Sequence, residues 1–172
     1  MSARLPEQID PIRLADEGAP LRGDLSAGGL RRLRELCRPG AQPAPVVVDL
    51  EFERTSHGVR LMHGTIRTTV ETICQRCLQP VAIAVTARPF VVLQRAGEET
   101  VHAPDEAETL AVEGPLLLNE LAEDELLLAM PMIPMHEEGS CTAPLGRGET
   151  PPGPVEKPNA FSALRGLKKS KD

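Results

Sequence analysis

The run VVVDLEFERTSHGVRLMHGTIRTTVETICQRCLQPVAIAV, residues 46–85, decides the fold. In its first eight residues Val46, Val48, Leu50 and Phe52 point one way, while Asp49, Glu51 and Glu53 point the other. Successive side chains of a strand face opposite sides, so this alternation predicts a half-buried strand. Ser56-His57-Gly58 supplies a hairpin turn, and Val59 and Leu61 open the return strand. Beyond Gly64 the apolar set moves to Ile66 and Val70, from odd to even positions. A one-residue change of phase at a glycine predicts a bulge there. Cys74-Gln75-Arg76-Cys77 follows, and Val81, Ile83 and Val85 begin a further strand that extends through Phe90 to Leu93.

Working outward, an acidic stretch from Gly97 to Glu108 reads as a loop, and Thr109 to Val112 as a short edge strand. Leu118 to Met130 has the strongest helical pattern in the chain. Leu118, Leu121, Ala122, Leu128 and Ala129 recur at helical spacing, with Glu120, Glu123 and Asp124 on the wet side and Glu125 intruding on the apolar one. Toward the N-terminus, Ser26 is a candidate N-cap for a helix from Ala27 to about Cys37, stopped by Arg38-Pro39-Gly40. The expectation is an α+β fold: a mostly antiparallel β-sheet with two flanking helices and an extended C-terminal tail. Its parts would be an irregular leader (1–24) with Ile9, Ile12 and Leu14 packed on the domain, a core domain (25–138), a Pro/Gly-rich linker (139–158) and a basic tail (159–172).

Composition narrows the function. There is no Trp or Tyr and only three Phe. That shortage argues against a base-stacking platform, where each stacked base contributes about 1–3 kcal/mol. The net charge of −6 disfavours bulk electrostatic binding of nucleic acid, so any RNA contact would be local or made through a protein partner. No apolar run reaches the roughly 18–20 residues of a membrane span, and the N-terminal MSARLPEQID does not read as a secretory signal. A cytoplasmic protein is expected, in which the four cysteines act as thiols or metal ligands rather than disulfides.

The sharpest chemical feature is Cys74-x-x-Cys77, with His136 and Cys141 about sixty residues later. Two thiolates from one tight turn and a second pair from a distant loop would complete a tetrahedral zinc site. A zinc site, an unfilled vestige and a redox pair all remain open from the residues alone. The hairpin setting lacks the helix N-terminus that lowers the thiol pKa in redox motifs. Cys37 is a spare thiol that reads first as a packed small residue and otherwise as a stand-in for His136. A metal- or thiol-dependent sensor built on the cluster is therefore the alternative to a binding factor. Nucleophile elbows, Walker loops, dinucleotide fingerprints and H-E-x-x-H are absent from the sequence, so neither an enzyme nor a small-molecule substrate is expected. His57, His63 and His102 read as surface residues. Two basic patches, Arg31, Arg34 and Arg38, and Arg165, Lys168 and Lys169, are candidates for contact with RNA or an acidic protein surface, against the plainer reading of solubilising faces.

Cys74-Gln75-Arg76-Cys77-Leu78-x-Pro80, the stretch Glu123 to Pro131, Pro134-Met135-His136 with Cys141, and Lys157-Pro158-Asn159-Ala160-Phe161 together resemble the YceD family of large ribosomal RNA subunit accumulation proteins. Ala160 departs from the proline expected there. The resemblance implies a role in synthesis, processing or stability of 23S rRNA. The implied partners are a large-subunit precursor, its rRNA or an assembly protein, and no membrane. It is also consistent with a metal site at Cys74, Cys77, His136 and Cys141.

Overall fold

Valine- and threonine-rich segments of period two build the middle of the chain, as expected of side chains that fit a pleated, half-buried surface. A computed structural model describes residues 4–98 and 107–141. In chain order the elements are β1 (Gln8–Ile9), α1 (Pro11–Glu17), β2 (Pro20–Leu25), a 3-10 turn (Ala27–Gly29), α2 (Arg31–Glu35), β3 (Val46–Arg54), β4 (Arg60–Ile73), β5 (Pro80–Ala87), β6 (Phe90–Arg95), β7 (Glu108–Val112), β8 (Leu116–Leu117) and α3 (Leu118–Ala129). The fold is α+β. One six-stranded sheet runs β2-β3-β4-β6-β7, with β5 also on β4, and β1 and β8 form a separate two-stranded ribbon. All pairings are antiparallel except β6 with β7.

Helices α1 and α3 pack against the sheet, burying Ile12, Ala15, Leu118, Ala122 and Leu126 with Val48, Leu50, Phe52, Met62, Ile66 and Val70. Long β4 is the spine. It pairs with β3 along one side and with β6 and then β5 along the other. The strand expected from Val81 to Leu93 is divided at Arg88-Pro89, but both halves stay on the same side of β4. Proline supplies no ladder N–H, which accounts for the break.

Four expectations change. Within the leader expected to be irregular, β1, α1 and β2 occupy residues 8–25, and β2 pairs with β3 over its whole length. Asp10 caps α1 by accepting the Arg13 N–H at 3.0 Å, Pro11 starts it, and Gly18 closes it in the left-handed conformation. The helix expected from Ala27 to Cys37 shrinks to a capped 3-10 turn followed by the five residues of α2. Adjacent Gly28 and Gly29 weaken that first turn. Nor is there a bulge at Gly64. The β3–β4 register runs unbroken from Arg54–Arg60 to Val47–Arg67, with Gly64 opposite Leu50. The change of phase has another origin: at this end the sheet is buried on both faces. Met62 joins the main core, while Leu61 packs with Val59 and Val92 on the other side. Gly64 is needed for close approach, since a Cβ there would lie 2.2 Å from the Asp49 carbonyl oxygen, at φ 143°.

The buried carboxylate of α3 is Glu123, placed on the wet side by periodicity, and not Glu125. Glu123 is 5% exposed and accepts the Leu33 N–H at 3.0 Å and Arg32 Nε at 2.9 Å. Burial pushes its pKa up, but these two donors outweigh burial and hold it below the ordinary glutamate value.

A Cys3His cluster between a hairpin and the segment after α3

The β4–β5 hairpin turns through residues 74–79. Cys74 N–H donates to Gln79 O and Leu78 N–H to Cys74 O, both at 2.9 Å, and Leu78 takes a left-handed φ of 60°. That tight turn brings Cys74 and Cys77 to the same side. Pro131 follows the end of α3, since proline cannot continue a helix, and the chain crosses to the hairpin. There Gln75 N–H donates to Pro134 O at 2.9 Å. The docking carries His136 and Cys141 to the two hairpin cysteines.

The four candidate ligand atoms all lie within 4.8 Å of one another. Cys74 Sγ is 3.9 Å from Cys141 Sγ, and His136 Nδ1 is 3.3 Å from Cys77 Sγ and 3.8 Å from Cys141 Sγ. Zn–S bonds of about 2.3 Å and Zn–N bonds of about 2.0–2.1 Å give a tetrahedron with S···S edges of roughly 3.8 Å and S···N edges of roughly 3.6 Å. The cluster therefore already has the dimensions of a metal site, and its Cys/His composition is one that could hold an ion. His136 Nε2 faces Pro80 O at 3.0 Å. A carbonyl only accepts, so Nε2 carries the proton and Nδ1 presents its lone pair to the cysteines.

Electrostatics suit the thiolate form at Cys74. Burial raises the Cys74 pKa, but N–H donors from Cys77, His136 and Arg76 overcome it and bring the group to about 5. Cys77 is shifted upward by burial. Arg76 Nε donates to Cys141 Sγ at 3.0 Å, and its terminal nitrogen reaches the carbonyls of His136 and Glu137 at 3.2 Å each. Arg76 and the Pro80 carbonyl are site residues that spacing alone did not single out. The position of Arg76 inside Cys-x-x-Cys was the available signal. Cys37 lies apart, with Sγ 3.7 Å from Leu33 O and its thiol pKa raised by burial and by Glu71.

The other candidate residues do not converge on this cluster. Arg31 and Arg34 are exposed on α2. Arg38 pairs with Glu71 at 2.5 Å, and Arg32 bridges Glu123 and Asp124. Arg165, Lys168 and Lys169 lie outside the described residues, as do His102 and the linker and tail from residue 142 onward. No helix among the described residues is long and apolar enough to cross a membrane.

Sheet, hairpin and cluster define a class: an α+β protein in which a β-hairpin and the segment after a helix bring three cysteines and one histidine together. The family follows from comparison with known proteins. The family model "Large ribosomal RNA subunit accumulation protein YceD" matches residues 62–168. The protein of that name from Haemophilus influenzae is 30% identical over 173 residues, spanning 96% of this chain and 97% of the relative. The chain belongs to the YceD family. No solved structure matches it.

Proposed function

We propose that this protein is a non-enzymatic factor in ribosome biogenesis, required for synthesis, processing or stability of 23S rRNA, and that it acts in the cytoplasm by contact with a large-subunit precursor. The carrying observation is family membership over nearly the whole chain, together with the printed name of the Haemophilus influenzae relative. Supporting it, the most organised group of reactive side chains among the described residues is a set of metal-ligand type with a clasping geometry. Cys74, Cys77, His136 and Cys141 would hold Zn2+, which would supply a structural cross-link between hairpin and segment. Arg76, beside Cys141, would offset the net negative charge of three thiolates and one divalent ion. Arg31 and Arg34 on α2, with Arg165, Lys168 and Lys169 of the tail, would supply short-range contacts to rRNA in a chain of net charge −6.

The test adds purified full-length protein to large-subunit precursor particles. Co-sedimentation with the particles, with rRNA length and ends unchanged by the protein alone, is the expected result. Cleavage or modification of the rRNA that one point substitution abolishes would overturn the non-enzymatic reading.

A further inference from the structure

Exposed apolar side chains are ordinary when scattered and informative when gathered. Seven large ones are exposed among the described residues, and five of them lie on the β4–β5 turn, the end of α3 and the segment that joins the two. Leu128 is 77% exposed at the end of α3, Met132 and Ile133 (99% and 60%) and Met135 follow on the crossing segment, and Leu78 (70%) stands on the hairpin tied to that segment through Pro134. Both ends of the segment are fixed, one by α3 and the other by the Cys3His cluster. The shelf is therefore presented ready-formed, which lowers the ordering cost of binding.

Its surroundings are acidic. Glu137 and Glu138 continue the segment and are exposed, and Glu125 sits one helical turn before Leu128. Among the described residues none of these three carboxylates has a cation within 4.0 Å. Arg76, the nearby guanidinium, is engaged with Cys141 and two carbonyls. The Glu125 carboxyl is pushed upward, first by burial and then by the neighbouring charges of Glu108 and Asp124.

We infer that this shelf docks a basic, apolar-faced segment of a partner protein. The thioether-rich surface adapts to varied apolar side chains. The acidic rim selects lysine and arginine around them and repels phosphate, so RNA is excluded here and falls to the arginines instead. The inference rests on the functional reading above in naming the partner's class, a basic component or assembly protein of the large subunit, and in taking the Cys74, Cys77, His136 and Cys141 set as the tie that fixes the segment.

The test places a photoreactive residue at the shelf of the full-length protein in cells, as Met132→benzoylphenylalanine. The expected product is a crosslink to a basic large-subunit or assembly protein, mapped to a segment where lysines or arginines flank apolar residues. Its yield should fall about tenfold or more with Ile133→Glu. With Glu137→Gln and Glu138→Gln combined it should fall about two- to fivefold. These positions are exposed, so thermal melting should be unchanged. Crosslinks only to rRNA, only to a second copy, only to residues 142–172 of the same chain, or none, would overturn the inference. Normal 23S rRNA in a strain lacking the protein would sink the functional reading with the crosslink intact. A 23S deficit without the crosslink would do the reverse.

Discussion

Stripping metal from protein purified without chelator should release residues 131–141 from the β4–β5 hairpin while leaving the sheet and α3 folded. The magnitude follows from what holds that segment. Six hydrogen bonds tie it down: Gln75 N–H to Pro134 O, His136 N–H to Cys74 Sγ, His136 Nε2–H to Pro80 O, and Arg76 to the carbonyls of His136 and Glu137 and to Cys141 Sγ. At about 0.5–1.5 kcal/mol net each, they supply roughly 3–9 kcal/mol. Ordering these eleven residues costs about 1–2 kcal/mol apiece, roughly 11–22 kcal/mol in all. Structural zinc, at about 10–16 kcal/mol apparent, closes the difference. Hydrogen exchange read by mass spectrometry, with and without chelator, measures this segment by segment. Protection of residues 131–141 should collapse on chelation and in Cys74→Ser, with α3 and β3 little changed. A segment equally protected without metal, or protein that carries no stoichiometric metal as purified, would refute the reasoning.

Three further outcomes are expected. Glu123→Gln should destabilise the fold by about 1.5–3 kcal/mol at neutral pH, because a buried carboxylate between two donors becomes an amide beside Arg32. The folded-state pKa of Glu123 is depressed, so its contribution is present above the unfolded glutamate value and is lost as pH falls through the folded one. Denaturant melts of the two proteins should therefore converge in acid, and a constant gap would contradict the assignment. Gly64→Ala should cost more than about 2 kcal/mol by the same assay, since its Cβ meets the Asp49 carbonyl and φ is positive; a neutral result would show that β3 and β4 are not so closely apposed. Arg31→Glu with Arg34→Glu, on exposed positions of α2, should leave melting unchanged and lower the fraction of protein co-sedimenting with precursor particles, most visibly at low salt.

Where one physical signal dominated, the sequence was readable. Val46 to Phe52 alternates because one sheet face is buried, and Leu118 to Ala129 carries helical spacing against the same core. The Cys74, Cys77, His136 and Cys141 set was legible because few other residues offer soft ligands, and the fold brings all four together. Signals failed where two effects overlapped. Leu61 and Met62 are both buried, on opposite faces, and that reads as a slipped register. Glu123 is buried among donors from another helix, which periodicity within α3 cannot reveal. The α1 signals, Asp10-Pro11 and Gly18, were present, but proline and glycine also mark irregular chain. The apolar shelf was hidden because Met132 to Met135 resembles buried sequence until its neighbours are known.

Ribosomal particle profiles on sucrose gradients, taken as this protein is depleted from its own cells and then restored, put the central claim most directly at risk. Loss of free and assembled large subunits, with the 23S to 16S rRNA ratio falling and recovering on re-expression, is the predicted result. A ratio and a profile that stay constant throughout depletion would contradict it.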